Sequence, residues 1–285
     1  MQTKLISILE GKMMEKPLIS VIMGVYNANE QQLDLAISSI LMQTYTNLEF
    51  IICDDASNNG TSQWLQKYAD RDSRIRILRN DQNKKLATTL NRCIAAARGE
   101  FIARQDDDDI SDPTRLERQY QFLMEHKEID FVGSNCCLYN KHKGVFGQRY
   151  MPEFPQKKDF AFNSPFIHGS LMFRSSCLNI NCCYRTCRWT DRTEDYELFM
   201  HMYSVGKHGA NIQENLYCYH YGSQQQHIAM RYRMDEMVLR YQGFRKLGML
   251  PRYSFYVVKP VFLGLMPDDM VTRLRDFRNQ FAFAV

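Results

Sequence analysis

The chain has 285 residues, 45% of them hydrophobic and 24% charged, with a formal net charge of +4. Those proportions suit a folded globular protein, and no run of about 18 apolar residues is present to span a bilayer. Residues 231–285 hold ten Lys or Arg against five Asp or Glu, whereas the first 230 residues hold 26 against 27. A basic character confined to the tail argues against nucleic acid as a partner and towards contact with an anionic surface.

Residues 1–17 form an N-terminal extension. Its short apolar patch is followed by Glu10 and Glu15 without a small-residue cleavage site, so no secretory leader is expected and a cytoplasmic location is. From residue 18 the pattern alternates. Leu18–Val25 is an apolar, β-branched strand, Gln31–Met42 has apolar residues at helical spacing, and Leu48–Cys53 is a second strand ending in Asp54-Asp55. Thr61–Ala69 predicts a helix, Arg74–Leu78 a strand, and Leu86–Ala97 a helix capped by Gly99. Glu100–Arg104 is a short strand running into Gln105 and the acidic run Asp106–Asp109.

Beyond the run, Asp112 and Pro113 suit the N-cap and first position of a helix. Asp130–Ser134 and Ser170–Phe173 predict strands, residues 140–165 look loop-like, and Thr193-Glu194-Asp195 opens a helix to about Ser204. Alternating strands and helices mean right-handed βαβ units and a mainly parallel sheet, with ligands bound at the carboxyl ends of its strands. Tyr26-Asn27, Asp54-Asp55 and Asp106–Asp109 all fall at that edge.

Four consecutive aspartates cannot be buried unpaired. Hard oxygen ligands suit Mg²⁺ or Mn²⁺, which take one or two carboxylates plus substrate phosphates and neutralise a leaving diphosphate; the competing account is a solvated acidic turn. Asp54-Asp55 suits either a ribose or base contact or a turn before a helix. Glu194-Asp195 suits either a general base or a favourable pairing with the helix dipole. The nine cysteines, odd in number, read as reduced thiols, since neither Cys182, Cys183 and Cys187 nor Cys136-Cys137 has zinc-site spacing.

Five ordered segments carry a family resemblance: ISVIMGVYN, CDDASNNGT, LNRCIAAARGEFIARQDDDDIS, HGSLMFR and TEDYELFM. Together they resemble the family 2 glycosyltransferases of the GT-A fold, the type found in bacterial capsule, lipopolysaccharide and exopolysaccharide assembly. The resemblance implies a Rossmann-like, mainly parallel sheet flanked by helices over residues 18–230, with a donor half (18–110) and an acceptor half (111–230). It implies an inverting transfer from a nucleoside diphosphate sugar, UDP-sugar favoured, to a saccharide acceptor.

Position by position, it assigns Asp106 and Asp108 to the metal and diphosphate, with Asp107 and Asp109 beside them. Asp55 falls to the uracil with Asp54 supporting, Tyr26 and Asn27 to base and ribose, and Arg104 to diphosphate or sugar. Asp195 becomes the base and Glu194 its neighbour, and His168 flanks the site. His220 or His227 supplies a late histidine. Gly24 stands where Pro is usual, Ala56 and Lys85 where Gly is usual, and the loop Asn83–Ala87 is expected to bind the donor differently. The QxxRW motif of processive synthases is missing, which favours single additions.

The tail, 231–285, mixes cations with aromatic residues and suits two compatible accounts. One is a pair of helices packed on the catalytic domain. The other is an interfacial element on the inner face of the membrane, fitting a lipid-linked acceptor. A nucleotidyltransferase is the alternative enzyme, but MGVYNANE offers no Gly-rich basic phosphate loop. A non-catalytic sugar-nucleotide-binding protein would have no need of Asp195.

Overall fold

The computed structural model describes residues 16–141, 143–178, 182–221, 228–267 and 270. Its first half is a run of strand and helix units: β1 (Ile19–Val25), α1 (Glu30–Leu41), β2 (Leu48–Asp54), α2 (Thr61–Ala69), β3 (Ile75–Arg79), α3 (Lys85–Ala96) and β4 (Phe101–Arg104). Strands β3, β2, β1 and β4 lie side by side in that order, all parallel. Val21 and Met23 pack with Leu33, Ile37 and Leu116 on one face, and Ile22, Ile51 and Leu90 pack with Phe131 and Phe199 on the other. A parallel sheet covered on both faces must be apolar throughout, which is why these strands read as unbroken apolar runs.

The second half makes the sheet mixed. Next to β4 comes β8 (Met172–Arg174), antiparallel, then β6 (Phe131–Asn140), β9 (Gly209–His220) and β5 (Ile110–Ser111), with β7 (Gly144–Arg149) also paired to β6. The tract read as a loop thus holds an edge strand, β7, whose two apolar residues, Val145 and Phe146, are adjacent, exposed and flanked by glycines, so no alternation marks it. Strand β9 escaped sequence reasoning because the exposed Gln213, Glu214 and Asn215 interrupt its alternation where its register against β6 shifts.

Two terminus assignments need correction. Helix α4 (Arg115–Glu125) has Thr114 as its N-cap, and Asp112 instead accepts the Thr114 N–H at 2.8 Å and its hydroxyl at 2.6 Å, closing a separate turn. Gly99 is not the cap of α3, which is Ala97; an added Cβ at Gly99 would lie 2.6 Å from the Ser20 nitrogen, so close backbone approach excludes larger residues.

The remaining helices are α5 (Glu194–Ser204), α6 (Met230–Lys246) and α7 (Ser254–Leu265). Leu239, Phe244 and Val257 join α5 in the core, so the packed-helix account of the tail holds over the described part. A Cβ added at Gly243 would sit 2.4 Å from Met200 Sδ, so α6 lies directly on α5. The outer face of α7 stays exposed: Phe255, Val258, Phe262 and Leu265 retain 69, 36, 55 and 70% of their accessible surface. Among the described residues no helix is long and apolar enough to cross a membrane. Most of the N-terminal extension, His227 and residues 271–285 lie outside the described residues.

Candidate active site

The carboxyl ends of β1, β2 and β4 form one rim. Tyr26 and Asn27 stand exposed on it. The Asn27 N–H donates to Ser57 Oγ at 2.8 Å, and Asn27 Oδ1 accepts the Asn58 N–H at 2.9 Å, so the loops after β1 and β2 are tied together.

Beneath the rim, Asp54 is 1% exposed. Its carboxylate accepts the Ser57 N–H at 2.9 Å and the Ser62 hydroxyl, and lies 3.5 Å from Arg79 Nη1. Asp54 therefore shapes the turn ahead of α2 from below. Asp55, 3% exposed, accepts from Asn80 Nδ2 at 2.7 Å, from the Lys84 N–H at 2.7 Å and from the Lys85 N–H at 2.9 Å. A carboxylate offers about four acceptor positions, so one remains for a ligand N–H.

The acidic run begins at a buried cation. Arg104 is 1% exposed and its guanidinium pairs with Asp106. Burial alone would lower its pKa, but the Asp106 carboxylate more than reverses this and holds it protonated. Arg104 thus lies beneath the rim, with Asp106 between its guanidinium and the open side of the loop. The side chains of Asp106 and Asp108 are 27% and 44% exposed, and His220 Nδ1 lies 3.5 Å from Asp108 Oδ2. Burial and the neighbouring carboxylates push Asp107 up to about 7 and raise Asp108. Asp109 differs: at 1% exposure it accepts the His220 N–H at 2.6 Å and so ties the acidic loop to β9.

Glu194 and Asp195 open α5, with Thr193 as N-cap. Burial raises Asp195 to about 6, against the opposing pull of its own backbone contacts and Arg104. Burial and Asp195 raise Glu194 to about 7. Both lie within electrostatic reach of Arg104 and Asp106, so the structure gathers α5 and the acidic loop into one centre. His168 Nε2 lies 2.6 Å from the Tyr184 hydroxyl, and burial together with Arg104 keeps the imidazole neutral.

Three members of this centre were missed in the sequence. Arg115, fully buried, donates from Nη1 to the carbonyls of Arg104 and Gly169, each at 2.9 Å, and packs over the Tyr217 ring at 5.4 Å. Burial and Arg104 push its pKa down to about 10. The Tyr217 hydroxyl accepts the Asp106 N–H at 3.2 Å. Tyr184, 2% exposed, walls the side nearest Asp195 and Glu194. Arg115 looks like an ordinary exposed position on a polar helix, and the two tyrosines lie in segments without a periodic signal.

Comparisons with known proteins place the family and the fold. The putative glycosyltransferase EpsE of Bacillus subtilis is 39% identical over 259 residues, covering 90% of this chain and 92% of that protein. Among solved structures, S. aureus TarS 1-349 in complex with UDP-GlcNAc superposes with a TM-score of 0.66 at 18% identity, over 87% of this chain and 76% of that one. The mannosyltransferase PcManGT from Pyrobaculum calidifontis, in complex with GDP-Man and Mn²⁺, gives 0.62 at 16% identity over 92% and 80%. The expected GT-A fold is the fold observed. The model of the family described as Glycosyl transferase family 2 matches residues 20–199, from β1 into the helix that carries Asp195. The chain belongs to glycosyl transferase family 2.

Proposed function

We propose that the chain is an inverting, non-processive glycosyltransferase in bacterial surface polysaccharide synthesis, moving a sugar from a nucleoside diphosphate donor, UDP-sugar favoured, to a saccharide acceptor. The observation that carries this is the pairing of a raised carboxylate, Asp195, with the buried Arg104–Asp106 ion pair in one centre. A carboxylate pushed up to about 6 is a better proton acceptor than a solvated one, yet is still ionised at neutral pH. In the proposed step Asp195 takes the proton of an acceptor hydroxyl. The oxygen bonds to the anomeric carbon while the bond to the diphosphate oxygen breaks, and the diphosphate leaves on the opposite face.

Asp106 and Asp108 suit a divalent cation, Mg²⁺ or Mn²⁺. Both are hard oxygen donors that stay partly open and lie in a repulsive cluster of carboxylates. Among the described residues no three His, Cys, Asp or Glu side chains form a cage, but a cation shared with substrate phosphates needs only one or two carboxylates. When bound, such an ion would offset negative charge on the leaving diphosphate. This chain's own residues orient that centre: Arg104 holds Asp106, Tyr217 holds its N–H, and Asp109 anchors the loop. The UDP-GlcNAc complex of TarS supports UDP as the nucleotide, and the exposed apolar stripe of α7 supports peripheral contact with the membrane and a lipid-linked acceptor.

A thermal-shift series of UDP-, GDP- and dTDP-sugars with Mn²⁺, repeated with chelator, tests donor and metal together. A shift with a UDP-sugar that chelation removes is the expected result. Shifts with none of the donors, or transfer by Asp195→Asn at the wild-type rate, would sink the proposal. A nucleotidyltransferase would instead release pyrophosphate from a nucleoside triphosphate and a sugar phosphate.

A further inference from the structure

A second cleft, of about 650 Å³, opens behind the reaction centre between residues 183–185, α5 and the end of α6. Tyr184, Arg185, Glu197, His201, Arg245 and Lys246 are among its walls. Two features join it to the centre. Tyr184 is shared: its hydroxyl meets His168 at 2.6 Å and feels the charges of Arg104, Asp195 and Glu194. Glu194, Glu197 and His201 also follow at positions i, i+3 and i+7 of α5, on one face of the helix. At about 1.5 Å of rise per residue, His201 lies about 10 Å along the axis from Glu194.

The charge of the cleft is one-sided. Three cations, Arg185, Arg245 and Lys246, line it with a single carboxylate, Glu197, which lies 3.9 Å from Arg185 Nη1. Arg245 and Lys246 stand in the last turn of α6, where the helix dipole accounts for a cation in general. It does not account for Arg185, which comes from a segment outside any helix and converges on the same space.

We propose that this cleft is an acceptor-side anion site that takes a phosphate group of the acceptor, with Arg185, Arg245 and Lys246 as its ligands. The phosphate would sit one to two helical turns along α5 from the pair Glu194-Asp195, where the accepting hydroxyl of the same molecule is presented. Guanidinium forks and an ammonium together match the divalent charge and several oxygens of a phosphate better than the single charge of a carboxylate. The inference deepens the glycosyl-transfer proposal and rests on it for the role of the bound molecule.

Calorimetric titration of the full chain, with UDP and Mn²⁺ saturating so that the donor side is filled, compares N-acetylglucosamine 1-phosphate, N-acetylglucosamine and glucuronate. The sugar phosphate is expected to bind at least tenfold more tightly than the other two. The double variant Arg245→Ser/Lys246→Ser is expected to lose that preference while still melting cooperatively within a few degrees of wild type, both side chains being exposed and only their interaction with the helix dipole being lost. Equal affinity for phosphate and neutral sugar, or a preference that survives the double variant, overturns the site. Glucuronate binding as tightly as the phosphate overturns its assignment to phosphate. Binding is read without turnover, so a failed glycosyl-transfer proposal shows separately, as absent donor consumption.

Discussion

Asp55 accepts the backbone N–H of Lys85 at 2.9 Å, and Lys85 makes that contact from a left-handed backbone with φ of 68°. Ala56, on the other side of the same rim, has φ of 61°. These are the two positions where the family pattern carries glycine, so the chain departs in side chain while keeping a backbone that glycine adopts freely. The expected difference in donor binding at the Asn83–Ala87 loop therefore cannot be laid to a changed loop path at Lys85. A left-handed conformation costs a residue with a Cβ roughly 1–2 kcal/mol. Ala56→Gly and Lys85→Gly should each stabilise the protein by about 1 kcal/mol, after the entropy that glycine loses on folding. Thermal melts should move up by about 2–4 °C per variant; a fall in both would contradict the left-handed assignment.

The raised carboxylates of α5 give a pH dependence with a defined sign. A general base works ionised, so transfer should fall as the pH drops through the region of about 6 and 7 where Asp195 and Glu194 titrate as a pair. Asp195→Asn should lower kcat by about 10²–10⁴-fold. Stability runs the other way. A carboxylate whose folded pKa is raised favours the fold most when protonated, and that contribution is lost as pH rises from about 4 to about 7. Asp195→Asn should therefore raise the melting temperature at pH 8 and change it little at pH 4. A rate profile flat from pH 5 to 8, with intact binding, would remove Asp195 from the base role.

Much of this could be read in the sequence because a parallel sheet writes itself as apolar runs with polar residues only at the strand ends. Asp55 and Asp106 stood out for that reason, each following such a run, whereas Asp195 opens a helix after a polar stretch and stood out through the TEDYELFM segment of the family resemblance. Arg104 also stood out, but its burial beneath Asp106 depends on β8 and on the loop at Gly169, which come from distant segments. Arg115 shows the limit most clearly. Its neighbours Thr114, Glu117 and Arg118 are polar, so nothing local separates a fully buried guanidinium from a solvated one. Strand β9 was hidden by its own bulge, and with it Tyr217, whose hydroxyl supports Asp106.

The exposed stripe of α7 predicts behaviour at a lipid surface. Phe255, Val258, Phe262 and Leu265 recur at spacings of three and four residues on the outer face, and the Phe255 and Phe262 rings stack at 6.3 Å. Burying an aromatic side chain of this size contributes about 1.5–3 kcal/mol. Phe255→Ser/Phe262→Ser should weaken binding to vesicles containing a quarter anionic lipid by at least about tenfold, at an unchanged melting temperature. Co-sedimentation reads the effect directly, and equal pelleting of variant and wild type would assign the stripe to some other contact.

Gly169 offers the sharpest test of how the acidic loop is held. A Cβ placed there would lie 2.1 Å from the Tyr217 hydroxyl oxygen and 2.6 Å from Asp106 Oδ2, closer than any real contact. The Gly169 carbonyl also accepts from Arg115, so the backbone cannot simply retreat without breaking that bond at 2.9 Å. Both neighbours belong to the proposed centre, since the Tyr217 hydroxyl accepts the Asp106 N–H. Gly169→Ala should therefore displace the Asp106 carboxylate while leaving Asp108, Asp55 and the base pocket in place. The expected result is a Mn²⁺ affinity, read from a thermal-shift titration, weakened by at least about tenfold, about 1.4 kcal/mol. Gly206→Ala is the control: φ there is 80° and no atom stands near an added Cβ, so its cost is backbone strain alone. A Gly169→Ala protein that matched Gly206→Ala in Mn²⁺ response would show that Asp106 does not hold the cation.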